Sequence, residues 1–223
     1  MLFLSAYKPQ LTDIGFELNS WTKHETTDNS ISWFTEKRDP AKIQLFDKPS
    51  DWPFDLTDEQ SAKAFFEQQC KSFSGAMIEM SIKTIGQFDV LQGIFKYRSP
   101  TPNSLGIYYV GIVWFPFKNF TFQINFESLE QGTTGIREAL VIAQEGIPNN
   151  ISFESEPLQV DTVEELFSAM RSTELKVIPS DDRKWDDVLP EHPLSKVRAY
   201  LDAFMRTVRI NPKLLKQKPY RVK

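Results

Sequence analysis

The amino-acid sequence predicts an α+β protein in which an antiparallel β-sheet is packed between helices and followed by a C-terminal helical appendage. Two kinds of apolar pattern predict this class: alternation along strand-like segments, and recurrence every three or four residues along helix-like segments. Pairs of alternating segments separated by short turns indicate hairpins, and therefore antiparallel pairing.

The N-terminal third is expected to contain three short strands, at "DIGFEL", "SISWFTE" and "AKIQLF". A helix is then predicted at "TDEQSAKAFFEQQCKSF", because its apolar residues lie on one helical face; they are Ala62, Phe65, Phe66, Cys70 and Phe73. No basic side chain is evidently placed to stabilise a Cys70 thiolate, so we expect a small buried hydrophobic residue there rather than a reactive thiol.

Two hairpins follow this helix. The first joins "AMIEMSIKT" to "IGQFDVLQGIFKY" across a turn near Gly86, and the second joins "GIYYVGIVWF" to "NFTFQINFES" across residues 116–119. The strand 106–115 is apolar on both faces, which is typical of a central strand. The last strand is apolar on one face only, and its other face is expected to be wet. Phe117 lies in the turn, outside the alternation, so we predict that it is exposed and a candidate for binding.

The C-terminal part is predicted to be helical. In "GTTGIREALVIAQEG" an apolar stripe predicts a helix that begins after Thr133 and Thr134. These threonines are placed to cap the helix, or to leave its first main-chain N–H groups available to an anion. Arg137 is expected on the solvated face of this helix. Two further helices are expected at "VDTVEELFSAMRS" and "HPLSKVRAYLDAFMRTVRI". Between them, a polar surface segment is anchored by Trp185. We divide the chain into a sheet domain, residues 1–148, and a helical appendage, residues 149–223.

Charge is distributed unevenly along the chain. Residues 206–223 carry a charge of +7 with no acid, which leaves −11 for residues 1–205 in a chain of net charge −4. Residues 154–191 are acidic, with eleven Asp or Glu against four Lys or Arg. The basic tail is therefore expected to be solvated or docked on 154–191, or else to bind an external partner. The tail residues considered for binding are Lys213, Lys216, Lys218 and Arg221.

The partners and the location follow from what the sequence lacks. Only Tyr220 accompanies the basic residues of the tail, so we expect no nucleic acid, with the tail as the one exception. No apolar run is long enough for a membrane span. A single cysteine precludes an internal disulfide, and with no export signal the expected location is cytoplasmic.

Chemical signatures are few. Glu191, His192 and Ser195 lie within five residues, but a catalytic triad requires convergence in space; we instead expect His192 or Glu191 to satisfy a helix N-terminus. The aspartates of "SDDRKWDD" lack the glycine and terminal glutamate of a calcium loop, so a solvated acidic loop is favoured over a cation site. No metal and no cofactor is predicted.

The order of the elements, namely short strands, helix 57–73, the two hairpins and helix 134–146, resembles the PsbP-like fold. That fold is an α/β/α sandwich shared by a photosystem extrinsic subunit, a Ran-binding nuclear import factor and bacterial proteins that include type VI secretion chaperones. The resemblance covers about residues 10–148 and rests on no diagnostic motif, so no functional residue is carried over. It implies a non-enzymatic binding scaffold.

Two functions from different classes are therefore considered. The first is a cytoplasmic protein-interaction module of an accessory, chaperone or immunity type, of bacterial origin, that holds a protein partner through the wet sheet face, the acidic surface or the basic tail. The alternative is an enzyme or small-ligand-binding protein with a pocket near Thr133 and Arg137, or near His192 and Ser195. The poor catalytic inventory favours the first.

Overall fold

A computed structural model describes residues 7–102, 104–146 and 162–222 of the chain. Its strands are β1 (Ile14–Gly15), β2 (Thr22–Thr26), β3 (Ser30–Phe34), β4 (Pro40–Phe46), β5 (Ala76–Ile85), β6 (Phe88–Arg98), β7 (Ile107–Pro116), β8 (Thr121–Leu129) and β9 (Arg209–Ile210). Its helices are α1 (Glu59–Ser72), α2 (Ile136–Glu145), α3 (Val163–Ser172) and α4 (Pro193–Thr207).

Seven strands form one antiparallel sheet in the order β2-β3-β4-β8-β7-β6-β5, and β1 pairs with β9 beside it. The predicted α+β class is therefore confirmed. Both predicted hairpins are present, β5 with β6 and β7 with β8. Gly86 makes the first turn at φ +64°, a conformation that glycine adopts without steric cost.

Strand β8 has the two different faces that its alternation predicts. Phe122, Ile124 and Phe126 are at most 1 % exposed, while Gln123, Asn125 and Glu127 are half-buried on the other face. These polar side chains form a hydrogen-bonded row: the Trp114 indole donates to Gln123 at 2.8 Å, Gln123 donates to Asn125 at 2.9 Å, and Asn125 donates to Glu127 at 3.2 Å. The row supplies the partner that a buried indole N–H needs.

One helix packs on each face of the sheet. Helix α1 buries Ala62, Phe66 and Cys70 against β5, β6 and β7. Burial raises the pKa of the Cys70 thiol, as expected for an unreactive cysteine. Helix α4 covers the opposite face with Leu194, Val197, Leu201 and Phe204.

The approach of α4 to the sheet depends on a glycine. A Cβ atom at Gly111 of β7 would lie 2.7 Å from side-chain atoms of both Val197 and Leu201. Helix α4 is therefore part of the hydrophobic core on this face of the sheet. The predicted division between residues 148 and 149 falls outside the described residues and stays a prediction.

The local structure differs from the expectations in several places, one of them Phe73, which is 70 % exposed instead of lying on the buried face of α1. The polar segment "TKHET", which includes His24, forms the exposed edge strand β2 and was not predicted as a strand. Helix α2 buries Arg137 and Val141 rather than the predicted apolar stripe, in which Ile136 is 50 % exposed; that stripe consisted of Ile136, Ala139, Leu140 and Ala143. Phe117 is 1 % exposed, because it packs against Phe88 and Phe120 with ring centroids 5.3 and 4.6 Å away.

Candidate functional site

The residues selected from the sequence fall mainly in two places, the N-terminal end of α4 and the C-terminal tail. Thr133 and Thr134 stand apart from both. Thr133 is exposed, Thr134 is half-buried, and the residue that caps α2 is Gly135 at φ +76°, with no side-chain cap bond. The expectation that a threonine caps this helix is wrong.

Arg137 is fully buried, which corrects its predicted place on a solvated surface. Its guanidinium donates to the Ser180 main-chain oxygen, to Ser195 Oγ at 2.7 Å, to the Asp182 main-chain oxygen at 2.9 Å and to Asp186 Oδ1 at 2.8 Å. A guanidinium has five donors, and this environment engages four of them. Arg137 therefore joins α2 to residues 180–186 and to α4, and has little capacity left for a ligand.

Two of the four aspartates considered for cation binding are paired instead with basic side chains. Asp186 accepts from Arg198 at 3.0 Å as well as from Arg137, and Asp181 accepts from Lys96 at 2.6 Å. In the described ranges, no group of three or more His, Cys, Asp and Glu side chains could hold a metal ion. Trp185 is 5 % exposed and anchors this segment as predicted.

His192 and Ser195 have different partners. His192 Nδ1 accepts from the main-chain N–H of Leu194 at 3.2 Å and so caps α4, one of the roles expected for this region, while Nε2 lies 3.1 Å from Glu130 Oε1. Ser195 donates to Asp186 at 3.1 Å and accepts from Arg137. The two side chains thus do not form the hydrogen bond of a nucleophile and its base.

The C-terminal tail, defined here as residues 213–222, is held against the sheet domain by apolar side chains and main-chain contacts. Leu214 is fully buried and Tyr220 is 6 % exposed. The Lys118 N–H donates to the Lys218 oxygen at 3.0 Å, beside a bridge between Phe117 and Pro219. This bridge covers Phe117, which explains the burial of a turn residue.

Tyr220 provides a further attachment for the tail. Its hydroxyl donates to the Trp52 main-chain oxygen at 2.7 Å, and the two rings are 5.6 Å apart. Burial raises the pKa of Tyr220, and the nearby Asp55 and Asp51 carboxylates add to the shift. The hydroxyl therefore keeps its hydrogen at neutral pH.

The basic side chains of the tail take no part in this attachment. Lys213, Lys216, Lys218 and Arg221 are all exposed, and none forms an ion pair with a described carboxylate. Within the described residues, the hydrogen bonds of the tail to distant parts of the chain go to Trp52, Asp55, Gln87 and Lys118, and none goes to residues 162–191. Of that acidic stretch, residues 154–161 lie outside the described residues.

A groove of about 1310 Å³ lies between the tail and the loop that follows β4. Its aromatic lining residues are Trp52, Phe65 and Tyr220, and its basic ones are Lys48, Lys118, Lys218 and Arg221. Asp51 is the one carboxylate among its lining residues in the described chain.

Of the residues that line this groove, only those of the tail were predicted from the sequence as candidates for binding. The Trp52 side lies in "DKPSDWPFD", where two prolines and two aromatic residues in an otherwise polar loop are an available signal. The pairing of that loop with a segment more than 160 residues later is visible only in the structure.

Comparisons with known proteins leave the family of this chain open. No family model matches it, and no curated protein matches it. A solved structure of a protein from Bacteroides thetaiotaomicron VPI-5482 is similar over 57 % of this chain, with 11 % sequence identity and a TM-score of 0.33. The chain covers 42 % of that protein, and a similarity of this size carries no argument about function. Within the described residues, no helix combines the length and apolarity needed to cross a membrane.

Proposed function

We propose that this protein is a non-enzymatic protein-interaction module that binds an acidic partner through its basic C-terminal tail. The observation that carries the proposal is the arrangement of the tail. Buried Leu214 and Tyr220 fix the course of the tail. Its basic side chains are exposed to solvent and form no ion pair with a described carboxylate; they are Lys213, Lys216, Lys218 and Arg221.

This arrangement favours binding because it reduces two costs of association. A tail already fixed on the body loses less conformational entropy when a partner binds it. Side chains that form no internal ion pair also have no internal partner to give up. Clustered charge of one sign further accelerates encounter with a partner of opposite charge.

The alternative of an enzyme or small-ligand pocket receives less support. Around Arg137, His192 and Ser195 the polar groups are bound mainly to one another, and Arg137 and Ser195 are at most 4 % exposed. Such a network is suited to joining α2 and α4 to the sheet. Thr133 and Thr134 are not joined to it by any described hydrogen bond.

The finer description belongs to the same proposal. We place the protein among accessory, chaperone or immunity-type proteins of bacterial origin, acting in the cytoplasm, on the basis of the single cysteine and the resemblance to a binding scaffold. Its partner is a protein rather than a nucleic acid, because Tyr220 is the only aromatic residue among the basic residues of 206–223.

The test is affinity capture with the immobilised full chain from a lysate of the organism that encodes it. The tail variant changes Lys213, Lys216, Lys218 and Arg221 to glutamine. Its control changes Lys8, Lys23, Arg38 and Lys176, which are also exposed and unpaired among the described residues, and so removes the same charge. We expect an acidic protein that the wild type and the control retain and the tail variant loses. Equal retention by both variants, or no retained protein, contradicts the proposal.

A further inference from the structure

The groove beside the tail is larger than most pockets for small molecules. Its volume of about 1310 Å³ compares with roughly 300–1,000 Å³ for typical ligand sites. One wall is the loop 48–53, the other is the tail at residues 218–222, and both have extended or irregular main chain. A site of this size and shape suits a segment of polypeptide better than a small metabolite.

The rim of the groove is basic. Lys48 and Lys118 are exposed on the body, Lys218 and Arg221 are exposed on the tail, and none of the four forms an ion pair with a described carboxylate. Against these four cations the groove lining contributes one acid, Asp51. Charge complementarity therefore requires an occupant with several negative charges.

The floor of the groove is aromatic and held in place. Trp52 and Phe65 are half-buried, so part of each ring remains available to a ligand. The Trp52 ring is stacked on Phe54 at 5.4 Å and meets Phe66, Trp114 and Tyr220 edge-on at 6.1, 5.9 and 5.6 Å. Rings fixed in this way offer apolar contact with little loss of side-chain entropy.

We infer that the groove binds a short extended peptide segment in which carboxylates alternate with apolar side chains. The apolar side chains would lie on Trp52 and Phe65, and the carboxylates would reach the lysines on both rims. This inference rests on the proposed function and names the site and the kind of partner segment.

A peptide fits these observations better than a single-stranded nucleic acid. Bases stack on open aromatic faces, whereas one face of Trp52 is already covered by Phe54 and the Tyr220 hydroxyl is bound to the main chain.

The test measures fluorescence anisotropy of a labelled peptide that alternates glutamate and leucine, titrated with the full chain. The groove variant is Lys48→Gln with Lys118→Gln, which leaves the tail intact. The control is Lys23→Gln with Arg38→Gln, which removes the same charge. Lys23 lies in β2 and Arg38 in the β3–β4 turn, at the opposite end of the sheet from Lys48. Oligo(dT) and a peptide that alternates glutamate and serine are titrated in parallel.

We expect the groove variant to bind the glutamate–leucine peptide about fivefold to tenfold more weakly than the wild type, with the control within about twofold, as two rim ion pairs imply. The glutamate–serine peptide should bind more weakly, and Phe65→Ala should reduce that difference. Equal weakening by both variants, absence of peptide binding, or tighter binding of oligo(dT) overturns the inference.

The capture experiment separates this inference from the proposed function. If the captured partner depends on the tail but is still retained by the Lys48→Gln with Lys118→Gln variant, the groove is the wrong site and the proposed function stands. If the tail variant still retains the partner, the proposed function is wrong.

Discussion

The Tyr220 hydroxyl donates to the main-chain oxygen of Trp52 at 2.7 Å, although the two residues lie 168 positions apart in the sequence. This contact joins the end of the chain to the loop between β4 and α1. It also brings the two walls of the candidate groove, the loop 48–53 and the tail, into contact. The course of the tail is therefore fixed by contacts in which its basic side chains take no part.

Replacing Tyr220 by phenylalanine is expected to lower the free energy of unfolding by about 1 kcal/mol, the usual net contribution of one hydrogen bond. The ring contact with Trp52 remains, so the change isolates the hydroxyl. Urea unfolding measures it, with the exposed Lys216→Gln as a control near zero. A Tyr220→Phe protein as stable as the wild type would show that the tail is not held through this contact.

Core substitutions test the assignment of the two main apolar faces. Phe122 of β8 and Leu201 of α4 are both fully buried in the same cluster. Alanine at these positions is expected to cost about 3–5 and 2–5 kcal/mol of unfolding free energy respectively, through lost burial and cavity formation. Ile142→Ala, on a residue 40 % exposed, is the control and should cost about 0.5 kcal/mol or less. Losses of that small size at Phe122 or Leu201 would contradict the packing described.

Gly111→Ala tests the close approach of α4 to the sheet. A Cβ atom there would lie 2.7 Å from atoms of Val197 and Leu201, so we expect overpacking to cost about 1–3 kcal/mol. In a Leu201→Ala background the same change should cost less, because one of the two clashing side chains is gone. The four proteins of this double-mutant cycle are compared by urea unfolding. Additive costs would mean that Gly111 and Leu201 are not in contact.

His192→Ala combined with Ser195→Ala separates the interaction module from the enzyme alternative. The cap on α4 and the bond from Arg137 are lost, so the free energy of unfolding should fall by about 2 kcal/mol or more. Capture of the partner should remain, provided that the assay is run well below the melting temperature. A folded double variant that no longer binds the partner would instead favour a functional site at the N-terminal end of α4.

The hydrophobic pattern of the sequence was sufficient to predict the main strands of the sheet but not its edge strand β2. The alternation in β8 predicted the burial of Phe122 and Ile124 because strand side chains point to opposite faces. The same reasoning failed for β2, whose segment is polar on both faces and lies at the edge of the sheet.

The candidate site was less predictable, because it depends on contacts between distant segments. Phe117 was expected to be exposed, since a turn gives no sign that Pro219 will cover it. Arg137 was assigned to solvent because a periodic pattern places charged residues outside. Its buried acceptors come from residues 180–195, and no local pattern reveals them. The basic tail was recognised from composition, but its groove required the structure.

The central claim is that apolar and main-chain contacts hold the tail in place and leave its positive charges free for a partner. The most direct test is the melting temperature of the variant in which Lys213, Lys216, Lys218 and Arg221 are glutamine, measured at low ionic strength. Because none of these residues pairs with a described carboxylate, we expect a melting temperature within about 2 °C of the wild type, which corresponds to less than about 1 kcal/mol. A fall of several degrees that added salt abolishes would show that the charges bind the protein's own acidic surface, and would contradict the account.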